Sequence, residues 1–185
     1  MTERILSEAA KSFFEQFLKI LEDFKKETGF QVFLLNKEGK LLTKLEGVQK
    51  ICKTILSFEE GKTRCKDAFQ MGFSLMKRER KPIFLECYAH FAICYLPIIV
   101  ANSLVGSVII CGGRYDKGES EEEFKKKFYN LADELGIFDK ESFFQKAKEV
   151  KVITEEDFKK EAKKLMKLIE ILTENVQTPL KEVLG

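Results

Sequence analysis

Residues 91–111 read FAICYLPIIVANSLVGSVIIC and contain no charged residue. An uncharged stretch of about 20 residues is long enough to span a membrane as a helix. However, Pro97 and the polar pair Asn102-Ser103 interrupt the stretch, and Val and Ile are abundant on both sides of that pair. This pattern is typical of two buried β-strands joined by a turn. The stretch therefore predicts a β-hairpin, and we expect no membrane partner.

The hairpin also predicts which side chains lie opposite each other. If the chain turns at Asn102-Ser103, Ile98 pairs with Ser107 and Cys94 pairs with Cys111. The two thiols would then be cross-strand neighbours on one face of a sheet.

Outward from the hairpin, hydrophobic periodicity and turn residues predict a mixed chain. Asn36 and Gly39 favour a tight turn between two further strands, and Ser120 with Glu123 forms the sequence of a capping box. We predict an α+β fold with a central antiparallel sheet of about five strands, flanking helices, and amphipathic N- and C-terminal helices. The predicted helices are residues 7–28, 48–58, 62–80, 120–135, 140–148 and 154–176, and the predicted strands are residues 31–36, 40–45, 83–87, 94–100 and 104–111.

Composition restricts the function. The 185 residues include 32 Lys and Arg against 30 Asp and Glu, for a formal net charge of +2, and the two signs are mixed along the chain. We therefore expect no nucleic-acid partner. The chain has one His and no Trp, which leaves little for catalysis by an imidazole base, so we predict that it is not an enzyme. Five cysteines without an apolar leader at the start of the sequence predict free thiols in a reducing, cytoplasmic setting.

The cysteines are the residues most able to carry chemistry. Cys52, Cys65, Cys87, Cys94 and Cys111 all lie in the central part of the sequence. They have two interpretations. Free cysteines often line apolar interiors, which makes them candidates to line a ligand pocket. Alternatively, Cys52, Cys65, Cys87 and Cys94 form a thiolate site for zinc or an iron-sulfur cluster in a metal or redox sensor, although no Cys-x-x-Cys motif is present.

The single histidine, His90, follows Cys87 by three residues. Residues an odd number apart on a strand point to opposite faces, so the two do not form a nucleophilic pair unless a bulge or turn intervenes. We expect His90 at a strand end or at the rim of a pocket.

The last helix carries an apolar repeat with alternating steps of four and three residues. This spacing predicts a coiled-coil seam and a homodimer through the C-terminal helix, and the alternative interpretation is a helix packed on the sheet. The repeat consists of Phe158, Ala162, Leu165, Ile169, Leu172 and Val176. We divide the chain into an N-terminal amphipathic helix (1–28), a central domain (29–153) and a C-terminal coiled-coil-like helix (154–185).

The order of elements resembles that of the PAS and GAF sensor domains, and the motifs narrow the resemblance. Ile51-Cys52, Gly61 to Cys65, Cys87, Pro97-Ile98 and Gly106 are similar in order and spacing to the PocR sensory domain, a PAS-like family of bacterial and archaeal signalling proteins. The resemblance covers residues 18–115. This chain departs from the family's Cys-His-x-Gly-Leu pattern, because Tyr88 stands at the His position and His90 at the Gly position.

The resemblance implies a sensor that binds a small organic molecule beside its sheet and transmits the bound state through the terminal helices. No cofactor is defined, with zinc or an iron-sulfur cluster implied only by the metal alternative. A third hypothesis is an interaction scaffold with a collapsed pocket. The predicted ligand-binding residues are Cys52, Cys65, Cys87, Tyr88, His90, Cys94 and Cys111.

Overall fold

The computed structural model describes residues 8–43 and 48–174. Within them the chain forms six helices and five strands. The elements are α1 (Glu8–Thr28), β1 (Gln31–Asn36), α2 (Lys50–Leu56), α3 (Glu59–Glu79), β2 (Ile83–Glu86), β3 (Ala92–Val100), β4 (Ser103–Tyr115), α4 (Glu121–Leu135), α5 (Lys140–Lys148), β5 (Lys151–Ile153) and α6 (Glu155–Glu174).

The five strands form one sheet. Its hydrogen-bonded order is β1-β4-β3-β2, with antiparallel neighbours, and the short β5 pairs in parallel with the end of β4. Helices cover both faces. The predicted α+β class with a central antiparallel sheet is confirmed.

Each face of the sheet packs against a different pair of helices. On one face, which we call the α6 face, Cys94, Leu96 and Ile110 pack with side chains of α1 and α6. On the opposite face, the α3 face, Tyr95 and Ile109 pack with Phe73 and Met76 of α3 and with residues of α2. Because side chains alternate along a strand, successive residues of β3 contact different helices.

A third apolar cluster lies beside the sheet. It joins α4 and α5 to α2 and to the loop before β3. Its centre is a group of aromatic rings, including Phe124 and Phe128, whose centroids lie 4.8 Å apart. The capping box predicted for α4 is present, since Glu123 N–H donates to Ser120 Oγ and Ser120 N–H donates to the Glu123 carboxylate.

The predicted register of the β3-β4 hairpin is wrong by one residue. Cys94 pairs with Ile110, and Cys111 pairs with Ile93. The chain turns at Ala101 and Asn102, both with positive φ (46° and 60°), and the register shifts again between Ile98 and Ile99. A shift of one residue moves a side chain to the other face. Cys94 and Cys111 therefore lie on opposite faces of the sheet.

The predicted strand at 40–45 is also wrong where the structure describes it. The turn is present, with Gly39 at φ 80°, but Leu41 makes only an isolated bridge to Leu35. The N–H of Leu34 donates to Thr43 Oγ1 at 3.1 Å, so a side chain takes the position of a backbone acceptor and the ladder ends. Residues 44 and 45 lie outside the described residues. The fifth strand is β5, which the sequence patterns did not predict.

The apolar repeat of the last helix packs on the sheet of its own chain. Phe158, Ala162, Leu165 and Ile169 of α6 are at most 2% exposed and belong to the α6-face core. For these residues the structure matches the alternative interpretation of a packed helix. Val176 lies outside the described residues. In the part of the chain that the structure describes, no helix is both long and apolar enough to cross a membrane.

Candidate functional site

Four of the five cysteines converge at the junction of the α3-face core and the α4-α5 cluster. Cys52 of α2 and Cys87, just after β2, contact both of these apolar cores. Cys65 of α3 contacts the α4-α5 cluster, and Cys111 of β4 contacts the α3-face core. We call these four residues the thiol cluster. They are free and partly buried.

Tyr88 links the thiol cluster to the start of α3. Its hydroxyl donates to the carbonyl oxygen of Gly61 at 3.0 Å. The phenolic oxygen also lies 3.4 Å from Cys65 Sγ, and since the phenolic proton is engaged with Gly61, the thiol can act as donor in this contact. A Cβ on Gly61 would lie 2.1 Å from the carbonyl oxygen of Ile55, so only glycine allows α2 and α3 to approach this closely.

Tyr95 of β3 lies on the sheet, at the side of the candidate site opposite α3. The side chain is fully buried, and its hydroxyl donates to the carbonyl oxygen of Ala68 in α3 at 3.1 Å. A Cβ on Gly72 would lie 2.2 Å from two ring carbons of Tyr95. The absence of a side chain at Gly72 thus lets α3 lie directly on the tyrosine ring.

Burial keeps the four thiols protonated. It raises the pKa of Cys52 to about 12 and that of Cys87 to about 11, with a smaller contribution to Cys52 from the neighbouring thiols. Burial also raises the pKa of Cys65 and, well above the usual value, that of Cys111. At neutral pH the cluster is uncharged and weakly nucleophilic.

The structure does not assemble the proposed metal ligands. Cys94 lies on the α6 face, in a different core from Cys52, Cys65 and Cys87. Among the described residues, no group of three or more His, Cys, Asp or Glu side chains is placed to hold a metal ion.

His90 lies at the rim rather than in the cluster. It has a positive φ of 63° in the loop between β2 and β3, where its N–H donates to the carbonyl oxygen of Cys87. The exposed imidazole packs edge-on against Phe128. The structure thus brings Cys52, Cys65, Cys87, Cys111 and Tyr88 together, and places His90 at the edge and Cys94 behind the sheet.

Sequence reasoning missed several polar residues of the α3 face and its border. Gln49, at the start of α2, donates from Nε2 to the carbonyl oxygen of Gly112. Four buried side-chain atoms have no hydrogen-bond partner in the part of the chain that the structure describes: Gln31 Oε1, Gln49 Oε1, Ser107 Oγ and Arg114 Nε. Gln31 and Ser107 interrupt otherwise apolar strands, which is the signal that could have identified them.

Surface clefts also occur away from the thiol cluster. One of about 600 Å³ lies between the end of α1 and the start of α6, where Lys151 and Lys160 alternate with Asp116 and Asp157. Its lining is mostly charged and polar, and none of the described lining residues belongs to the thiol cluster.

The described residues thus place a neutral, partly buried thiol cluster on one face of the sheet and two long helices, α1 and α6, on the other. The family model described as "Sensory domain found in PocR" matches residues 13–176. The chain belongs to the PocR sensory domain family.

A curated relative agrees with this assignment. The "Regulatory protein PocR" of Salmonella typhimurium (strain LT2) is 28% identical to this chain over 94 residues. That alignment covers 51% of this chain and 31% of the relative, so the chain corresponds to about a third of the Salmonella protein. No solved structure matches the chain significantly.

Proposed function

We propose that this sensory domain binds a small organic molecule at the thiol cluster, between the α3 face of the sheet and helices α2 and α3. The observation that carries the proposal is the convergence of four protonated thiols and two tyrosines at the border of two apolar cores. Small-molecule sites are mostly apolar with a few placed polar groups, and this site has that composition.

The terminal helices are the proposed route of the signal. Tyr95 of β3 lies under α3, and its neighbours Cys94 and Leu96 lie in the core that contains α1 and α6. A displacement of β3 on one face therefore changes packing on the other. A ligand can shift the helices only by its difference in affinity between the two arrangements.

Homodimerisation through α6 remains a proposal. Since Leu165 and Ile169 pack on the sheet, a dimer would use the outward side of the helix, where Leu168 is 45% exposed.

The ligand site can be tested with two matched variants. Cys111→Met and Cys94→Met add the same side-chain volume on adjacent strands but on opposite faces. We would screen a panel of small organic compounds by thermal shift on the whole chain and measure affinities of the hits by calorimetry. We expect Cys111→Met to weaken binding at least 10-fold and Cys94→Met to leave it within about 2-fold.

Equal effects of the two variants would contradict the proposed location, and a panel without hits would favour an interaction scaffold. If Cys111→Met fails to fold, Cys52→Met on α2 makes the same test from the opposite wall. Circular dichroism spectra of the variants show whether each is folded.

A further inference from the structure

Three polar groups that find no partner among the described residues lie around the end of β4. Gln31, the first residue of β1, is 9% exposed, and its Oε1 accepts no hydrogen bond from residues 8–43 or 48–174. Within the same ranges, Gln49 Oε1 and Arg114 Nε are also buried and unpaired. Buried polar atoms are nearly always hydrogen-bonded, and three exceptions around one strand end indicate groups that a ligand would satisfy.

The two glutamines converge on Gly112. A Cβ at this position would lie 3.0 Å from Gln49 Nε2 and 3.3 Å from Gln31 Cγ. The φ angle here is +93°, a backbone conformation that favours glycine. The bond from Gln49 Nε2 to the Gly112 carbonyl fixes the orientation of the amide. Gln49 Oε1 is therefore left as a free acceptor.

Arg114 follows two residues later on the same strand. Its guanidinium carbon lies 4.2 Å from the centroid of the Phe124 ring. Among residues 8–43 and 48–174, no carboxylate forms an ion pair with it. A stacked guanidinium with a free Nε–H is suited to a planar carboxylate.

This polar group of residues continues into the thiol cluster. Gln31 is the cross-strand partner of Cys111, and Gln49 lies three residues before Cys52, so both are next to the thiol cluster in the fold. A ligand held by its polar end here would extend its apolar part toward the thiols.

We propose that Gln31, Gln49 and Arg114 bind the polar end of the ligand, and that the ligand is a short-chain carboxylic acid with a hydroxyl or amino group on the adjacent carbon. The carboxylate accepts from Arg114, and the alkyl chain contacts the thiol cluster. A hydroxyl group donates to one of the two glutamine oxygens, whereas an amino group can donate to both. This inference rests on the proposed function, because it names the ligand class of the same site.

The test uses three probes of one size on the whole chain. 2-Hydroxybutyrate carries both polar groups, butyrate lacks the hydroxyl, and 2-hydroxybutanamide replaces the carboxylate with a neutral amide. By calorimetry we expect 2-hydroxybutyrate to bind at least 10-fold more tightly than either control. Arg114→Met should weaken binding of 2-hydroxybutyrate at least 10-fold, whereas Arg78→Met, at an arginine on the exposed end of α3, should not change it.

A second variant acts through charge. Gln49→Glu places a carboxylate beside the site and should weaken 2-hydroxybutyrate more than 2-hydroxybutanamide. If Arg114→Met does not fold, the Gln49→Glu variant tests whether the site binds a carboxylate.

Two outcomes would overturn the inference. If the amide binds as tightly as the acid, or if both site variants leave the affinity of the acid unchanged, the ligand class is wrong while a ligand site at the thiol cluster stands. If none of the three probes binds, the ligand class is again wrong, and the compound panel with the two Cys→Met variants decides the proposed function separately.

Discussion

Gly72→Ala tests the contact on which the candidate site is built. A methyl group at this position in α3 would lie 2.2 Å from Tyr95 Cε2 and Cζ and 2.6 Å from its hydroxyl oxygen. Tyr95 cannot move outward, because it is fully buried between α3 and the sheet. Either the helix or the ring must shift, and the hydrogen bond from Tyr95 to the carbonyl oxygen of Ala68 is then lost or lengthened.

The sign of the change in the free energy of unfolding shows whether α3 packs closely on Tyr95. In a helix without tertiary contacts, Gly→Ala stabilises by about 1 kcal/mol. Overpacking a core costs about 1–3 kcal/mol, and a lost hydrogen bond costs about 1 kcal/mol more. We therefore expect Gly72→Ala to lower the free energy of unfolding by about 2 kcal/mol, which for a chain of this length lowers Tm by about 4–8 °C.

The measurement is urea unfolding followed by circular dichroism, with Ser74→Ala at an exposed position of α3 as the matched control. In a Tyr95→Leu background, the same Gly72→Ala change should become neutral or stabilising, because the ring is gone. A Gly72→Ala protein at least as stable as the parent would refute the close packing of α3 on Tyr95.

Three further predictions concern the thiols, α6 and α4. Unfolded thiols ionise near pH 9, whereas Cys52 in the folded protein keeps its proton to about pH 12. Because the unfolded state then binds fewer protons, the free energy of unfolding should fall as pH rises above about 9. Cys52→Ala should flatten this pH dependence, and an unchanged slope would contradict the burial of the thiol. Leu165→Lys buries an unpaired charge and should cost about 4 kcal/mol or more, whereas Glu170→Lys, at an exposed position of the same helix, should stay within about 0.5 kcal/mol. Urea unfolding distinguishes the two variants, and similar small effects would argue against α6 packing on the sheet. Ser120→Ala removes the capping box of α4 and should cost about 1 kcal/mol, which thermal unfolding would detect, and no loss would mean that the cap contributes little.

The sequence predicted the helices and strands better than the pairing between strands. Helical periodicity placed α1, α4 and α5 within about one residue of the observed bounds, because each has a continuous apolar stripe and a clear start or stop signal, such as Ser120 and Gly136. The β5 strand was missed because three residues carry too little periodicity, and only the edge of β4 makes them a strand.

The candidate site also depends on pairing between strands, which local sequence patterns do not determine. The structure brings Cys52, Cys65 and Cys87 together, but the side of the sheet on which Cys94 lies depends on the register of the hairpin. The irregularity between Ile98 and Ile99 shifts that register by one residue, so Cys94 pairs with Ile110 and lies on the α6 face. No local pattern in the sequence indicates this shift, so the error could not be corrected without the backbone.

The alternation of side chains along β3 is the basis of the proposed coupling between ligand and helices. Tyr95 lies at the proposed site under α3, and the adjacent Cys94 and Leu96 contact the core of α1 and α6. A rigid, close-packed interior transmits small displacements instead of absorbing them, so a ligand that moves Tyr95 also moves the packing surface of α6. We therefore place Cys94 in the proposed relay and not in the proposed site. A change of volume at this position, behind Tyr95, should alter the response of the helices while ligand affinity stays within about 2-fold.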